Sequence, residues 1–358
     1  MSWGLWLLSG AFTAISFSIC LFACRLVMKL NVVDAPDGDR KTQTHAVPRL
    51  GGLAILIGTL IGGSLSFVIL VSAYGVDPVA TFKSLINGLT TSTLGMGALS
   101  ALVATAFLIG LWDDIWTVNT KFKLLILAVA CGTAATFGLI PESLTSPWGA
   151  TELPGVLIIG SALWLLVFIN ATNFMDGSNG LAVGCLAIML AGLAASTALA
   201  STIGFSLWWF PLFGAIGGFM MHNLRGKLYA GDAGALGLGA LFAGFGLVSG
   251  LEVWTVATLA LPFLIDVLLT LIWRAKHGRN WLDGHLDHAY QRLIHGGWSH
   301  LETAVLYWGL SATAAVLAYI GAQAGGFAPF LIFWTLFVAG SLIWIRHRRA
   351  AKQLDLSD

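Results

Sequence analysis

Charge is what this sequence has least of. Only 10% of its 358 residues are Asp, Glu, Lys or Arg, against 57% hydrophobic. A soluble domain carries about 25% charged residues, so this composition, with a mean hydropathy of +0.85, points to a polytopic membrane protein. Cysteine is scarce too. Cys20, Cys24, Cys131 and Cys185 all lie in apolar runs without CxxC or CxxH spacing, so they read as small core residues rather than disulfides or zinc ligands. No Walker A loop and no GxSxG elbow occurs, which leaves ATP hydrolysis and serine hydrolysis without support. Basic residues are missing ahead of the first apolar run, and Arg25 and Lys29 follow it. That order predicts a first span entering with its start outside rather than a signal peptide.

What the chain does have is hydrophobic length. Crossing the hydrocarbon takes roughly 20 apolar residues. Runs of that order fall near 4–24, 50–73, 94–112, 122–140, 154–171, 180–200, 204–222, 234–250, 252–273, 301–324 and 327–345. The expectation is an all-α, polytopic integral membrane bundle of about 11 transmembrane helices, a single domain over 1–358, with the N-terminus outside and the C-terminus cytoplasmic. With the first loop, 30–49, placed in the cytoplasm, that face collects every Lys and Arg except Lys83, 17 of 18. The near-zero net charge of +1 hides this segregation, which is the positive-inside pattern. The polar chemistry therefore belongs to the cytoplasmic face.

Five stretches on that face carry candidate chemistry. The first loop gathers Arg40, Lys41, His45 and Arg49 on a Pro- and Gly-shaped segment, suited to a phosphate; at a bilayer surface the natural anion is a lipid phosphate. The second holds Asp113 and Asp114, followed by Lys121 and Lys123. Adjacent carboxylates can divide the work, one orienting a metal while its neighbour handles a proton; capping the next helix is the plainer role. In the third, Asn170, Asn173, Asp176 and Asn179 recur every three residues. Amides with a carboxylate suit Mg²⁺ or a sugar-phosphate edge, and a tight turn is the simpler alternative. The fourth, Gly231-Asp232-Ala233-Gly234, opens an apolar helix; Asp232 either caps it or shares a metal with a pyrophosphate there. The last loop carries His285, Asp287, His288, Arg292, His295 and His300, a cluster suited to a nucleotide diphosphate. Asp266 lies inside a span, where a carboxylate is costly and marks either structure or function.

Taken in order, Asp34-x-Pro with Arg40-Lys41-x-x-x-His45-x-x-Pro48-x-x-Gly51-Gly52, Asp113-Asp114, Asn170-x-x-Asn173-Phe-Met-Asp176-Gly, Gly231-Asp232-Ala-Gly234 and the His-rich loop resemble the polyprenyl-phosphate N-acetylhexosamine-1-phosphate transferases. The match spans about residues 34 to 300. It departs in two places. Asn179 stands where the family often has a second acid, and the last loop reads His285-Leu-Asp287-His288 rather than His-x-His-His. The latter looks like the bacterial branch that initiates O-antigen or other surface-glycan synthesis. The muramyl-pentapeptide branch is the nearest rival, and an ion-coupled transporter using Asp266 is a rival of another class.

The resemblance implies that undecaprenyl phosphate attacks the β-phosphate of a UDP-N-acetylamino sugar and UMP leaves. It implies Mg²⁺, with Mn²⁺ as a substitute, on Asp232 with Asp114 and Asp176. Asp113 would orient or deprotonate the lipid phosphate. Arg40, Lys41 and His45 would hold that phosphate, and His285, His288 and Arg292 the sugar nucleotide. Asn170, Asn173, Asn179 and Lys121 complete the expected substrate-binding set. The expected setting is the bacterial cytoplasmic (inner) membrane, with the active site on the cytoplasmic face and a homodimer admitted; no nucleic acid is expected as a partner.

Overall fold

The computed structural model describes residues 3–36, 45–75, 77–80, 83, 93–197, 203–280 and 286–353. Helices dominate: α1 (Trp3–Val27), α2 (Gly51–Tyr74), α3 (Thr93–Trp116), α4 (Thr120–Thr136), α5 (Pro154–Met175), α6 (Leu181–Ser196), α7 (Ile203–Asn223), α8 (Gly231–Val248), α9 (Val253–Lys276), a short α10 (Ala289–His295), α11 (His300–Ala324) and α12 (Ala328–Gln353). Each of the eleven apolar runs is thus helical. Among the described residues, eight of these helices are long and apolar enough to cross a membrane, and Leu181–Ser196 is apolar but shorter. The chain is a multi-pass helical membrane protein.

Two small hairpins depart from the all-helical expectation. β1 (Val33–Asp34) pairs antiparallel with β2 (Val47–Pro48), and β3 (Leu144–Ser146) with β4 (Gly149–Thr151). The first matters for the site, because it delivers Arg49 to the head of α2.

The bundle is organised around α8. Of its apolar window 83% is buried, against 11% for α12 at the periphery. Small residues make that position attainable, because helices in lipid associate by close packing rather than by hydrophobic exclusion. α8 packs against α3, α5 and α2. A Cβ on Gly52 would stand 2.2 Å from the Gly234 amide nitrogen, and one on Gly110 would stand 2.5 Å from the Asp232 carbonyl. Backbone meets backbone at both places, so the glycines of α2 and α3 bring their helix ends onto the start of α8. The Gly51 and Gly52 amides then donate to the Tyr229 and Ala230 carbonyls at 2.9 and 2.7 Å. Four of the polar loops are thereby drawn to one end of the bundle.

Candidate active site

The site is built on the N-terminus of α8, whose first amides have no partner within the helix. Asp114, only 2% exposed, supplies one. Its Oδ1 accepts from the Asp232 amide at 2.9 Å and its Oδ2 from the Ala233 amide at 3.0 Å. A carboxylate also complements the positive end of the helix dipole. Gly231 must be glycine for this to work. Its φ is +71°, and a Cβ there would lie 2.1 Å from the Arg49 carbonyl oxygen and 2.5 Å from Asp114 Oδ2. Asp114, expected to support a metal, therefore spends both oxygens capping α8.

Arg49 is likewise a clamp rather than an open phosphate ligand. Its Nε donates to the Asp114 carbonyl at 2.9 Å and its Nη2 to the Asp113 carbonyl at 3.3 Å, satisfying the last turn of α3. Nη1 lies 3.9 Å from Asp34 Oδ1.

The side chains left facing the site form a chain of charges. Asp113 Oδ1 accepts from the Val118 amide at 2.5 Å, and its Oδ2 accepts from Lys123 Nζ at 2.8 Å. The same ammonium donates to Asp232 Oδ2 at 2.5 Å, and Asn173 Nδ2 donates to Asp232 Oδ1 at 2.9 Å. Lys123 bridges two carboxylates that would otherwise repel. Lys121 is exposed, its amide accepted by the Asn119 side chain at the start of α4. The helix turns about 100° per residue, so two residues carry Lys123 to the opposite face from Lys121. Sequence reading named Lys121, whereas Lys123 is the lysine that meets the carboxylates; the Asn119 cap, which fixes where α4 begins, was the signal.

Asp176 follows the end of α5. Burial, then the negative charges of Asp232 and Asp114, push its carboxyl well above the usual carboxylate range. The chain on either side of it is pinned at three points. The Tyr290 hydroxyl donates to the Phe174 carbonyl at 2.9 Å, Ser178 Oγ and His300 Nδ1 are 2.9 Å apart, and the Gly180 amide donates to Asn223 Oδ1 at 2.6 Å. Asn170 turns back to donate to the Leu166 carbonyl at 2.7 Å. Asn179 packs near Gly226, its Nδ2 3.1 Å from where a Cβ would stand. His45 is exposed. Arg40, Lys41 and His285 lie outside the described residues.

The described part of the last loop makes bracing contacts. Asp266, 2% exposed, accepts from the Tyr307 hydroxyl at 2.7 Å and from the Ala289 and Tyr290 amides at 2.7 and 3.2 Å. It holds the head of α10 and so places Tyr290. His288, expected to meet the sugar nucleotide, is instead 1% exposed with Nδ1 3.6 Å from Asp266 Oδ1. Arg274 pairs with Asp287 rather than with Asp266, and Arg279 and Arg348 approach the same carboxylate at 3.5 and 3.8 Å. Arg292 is half-buried on α10.

A carboxylate so fully engaged is a structural anchor, which removes the basis for an ion-coupled site there. Asp266→Ala leaves three buried donors without an acceptor, so a loss of about 3–5 kcal/mol is expected. A thermal melt in detergent checks it; an unchanged melting temperature would restore a functional role for this residue.

Among the described residues, no three His, Cys, Asp or Glu side chains form a ready metal cage. The donor set nonetheless fits a hard divalent cation. Asp232 and Asp176 offer carboxylate oxygens near enough that, after burial, the charge of Asp232 helps raise the Asp176 carboxyl, Asn173 adds an amide, and one side of Asp232 already holds a cation, Lys123. Hard ions such as Mg²⁺ take this set.

Residues 96–250 match the family model described as glycosyl transferase family 4. A phospho-N-acetylmuramoyl-pentapeptide-transferase of Synechococcus sp. (strain JA-2-3B'a(2-13)) is 32% identical over 314 residues, 81% of this chain and 84% of that protein. A decaprenyl-phosphate N-acetylglucosaminephosphotransferase of Mycobacterium tuberculosis (strain CDC 1551 / Oshkosh) is 28% identical over 343 residues, 86% and 78% of the two chains. A probable undecaprenyl-phosphate N-acetylglucosaminyl 1-phosphate transferase of Bacillus subtilis (strain 168) is 26% identical over 303 residues, 79% and 75%.

Proposed function

From the premise that the chain belongs to glycosyl transferase family 4, the polyprenyl-phosphate N-acetylhexosamine-1-phosphate transferases, we propose that it moves a sugar-1-phosphate from a UDP-N-acetylamino sugar to undecaprenyl phosphate. The reaction would start a surface glycan such as O-antigen, on the cytoplasmic face of the bacterial inner membrane. The observation that carries this reading is the convergence of Asp113, Lys123, Asn173 and Asp232 at the head of α8.

In the transfer, a phosphate oxygen of the lipid attacks the β-phosphorus of the sugar nucleotide. The bond from that phosphorus to the bridging oxygen breaks, and the electron pair leaves with UMP. Such a transition state needs in-line positioning and charge neutralisation more than covalent help. Lys123 places positive charge between Asp113 and Asp232, and Asp113 faces the incoming lipid phosphate to orient it. Arg40, Lys41 and His45 would steady that phosphate from the first loop, and His285 with Arg292 the sugar nucleotide. Asp232 and Asp176 would hold Mg²⁺, or Mn²⁺ in its place, which when bound supplies charge neutralisation on the diphosphate.

The muramyl-pentapeptide reading keeps its place because a relative of that name covers most of the chain. A turnover assay on purified protein separates the two. UMP release is measured with undecaprenyl phosphate and Mg²⁺ against a panel of UDP-N-acetyl sugars and the UDP-muramyl-pentapeptide. Release from a simple N-acetyl sugar, requiring lipid and metal together, supports the proposal. Release from the pentapeptide nucleotide alone reassigns the branch, and release from neither, in folded protein, refutes the transfer.

Mg²⁺ alone should also stabilise the protein against heat, by about 2.7 kcal/mol when present at a hundred times its dissociation constant. The raised Asp176 carboxyl gives this a pH dependence. A carboxyl raised in the folded state destabilises that state above its unfolded pKa, and the penalty is relieved as pH falls through the raised value. Protons and metal thus compete for one site, and the Mg²⁺-induced shift in melting temperature should shrink on acidification. A shift independent of pH would remove Asp176 from the metal site.

A further inference from the structure

A second polar group lies where the end of α1 meets the turn after α7. These helices run parallel and touch through glycine. A Cβ at Gly214 would stand 2.2 Å from the Thr13 carbonyl oxygen, and one at Gly218 would stand 2.6 Å from that of Phe17 and 3.2 Å from the Leu21 amide. One further turn along each helix sets Arg25 beside His222. Past His222 the chain folds back, the Arg225 and Lys227 amides both donating to the His222 carbonyl at 3.3 and 3.1 Å. Arg25, Lys227 and Arg225 all act electrostatically on the His222 ring.

Among the described residues, no acid forms an ion pair with Arg25, Arg225 or Lys227. Among the described residues, the carboxylates in ion pairs are engaged elsewhere, by Arg49, Lys123, the arginines around Asp287, and His288. The Nε2 of His222 is shielded from solvent and has no hydrogen-bond partner among the described residues. Three like charges gathered at one corner repel one another, and an anion seated among them relieves that repulsion. The rim is apolar: Phe22, Leu26, Met221 and Leu224 are all exposed, on a chain whose outer surface faces lipid. A free phosphate would gain nothing from that rim, whereas a phospholipid would lay its acyl chains on it.

We propose that the corner formed by Arg25, His222, Arg225 and Lys227 binds the headgroup phosphate of an anionic phospholipid. The corner shares no residue with the Asp113, Lys123, Asn173 and Asp232 cluster and does not depend on the reading given to it.

Native mass spectrometry of the full chain in detergent tests this, with phosphatidylglycerol as probe and phosphatidylcholine as reference. The wild type should retain phosphatidylglycerol preferentially. At about 1 kcal/mol per cation near an anionic surface, the variant Arg25→Gln/Arg225→Gln/Lys227→Gln should bind it roughly a hundredfold more weakly, with turnover at saturating substrate unchanged. Removing as many charges elsewhere on the same face, as Lys276→Gln/Arg346→Gln/Arg349→Gln, should leave retention intact. Should the first triple variant fail to fold, Arg25→Gln alone should show about a fivefold loss by the same reasoning. Equal retention by wild type and the folded corner variant, or equal loss in the control, overturns the site. Displacement of the lipid by inorganic phosphate at comparable concentration overturns the lipid assignment.

Discussion

Asp232→Asn should reach the membrane in normal amount, melt at or above the wild-type temperature, and lose about a thousandfold or more of its UMP release. Activity falls because the amide removes the negative charge that Lys123 and Asn173 are aimed at. Stability holds because the Asp232 side chain does not close the fold. Its backbone amide is what Asp114 caps, and its backbone carbonyl is what Gly110 packs against. Neutralising it also lessens the repulsion that raises the Asp176 carboxyl.

Asp114→Asn should behave in the opposite way. The amide nitrogen would face an amide hydrogen of α8, so the cap fails and the protein melts early. Turnover and thermal melts on the two variants give a paired test. If both lose stability alike, or Asp232→Asn retains near-normal turnover, the division between a cap and a reactive carboxylate is wrong.

That division shows where sequence reading reaches and where it stops. The helices were legible because crossing hydrocarbon demands apolar length, and among the described residues each of the eleven apolar runs carries a helix. The order of the loops was legible because each polar cluster interrupts an apolar run. The pairing of side chains was not. Asp113 and Asp114 are neighbours in sequence, and consecutive residues on a helix point about 100° apart. One turns toward Lys123 and the other under the start of α8. No spacing rule says which, because the answer depends on how α8 docks, and that is fixed by Gly52 and Gly110 from two other helices.

Asp266 shows the same limit. A carboxylate in a span reads as structure or function alike until α10, too short to leave a periodic signature, appears with its amides on it. Arg49 read as one more cation in a basic loop, although its donors are spent on two carbonyls 64 and 65 residues away.

Lys123 carries the second large effect. Lys123→Gln should lower UMP release by about a hundredfold to a thousandfold, because it removes the charge held between Asp113 and Asp232 in a partly buried setting. The same change should make the protein less stable without metal, since two carboxylates lose their shared partner. It should also enlarge the melting-temperature shift that Mg²⁺ produces, since one resident cation no longer competes. Lys121→Gln should change neither quantity, because that side chain is exposed. Loss of turnover together with a larger metal shift distinguishes a charge placed for chemistry from one that only braces the fold, which would lower stability with and without metal alike. Turnover lost in Lys121→Gln and kept in Lys123→Gln would return the substrate contact to Lys121 and with it the arrangement expected from sequence.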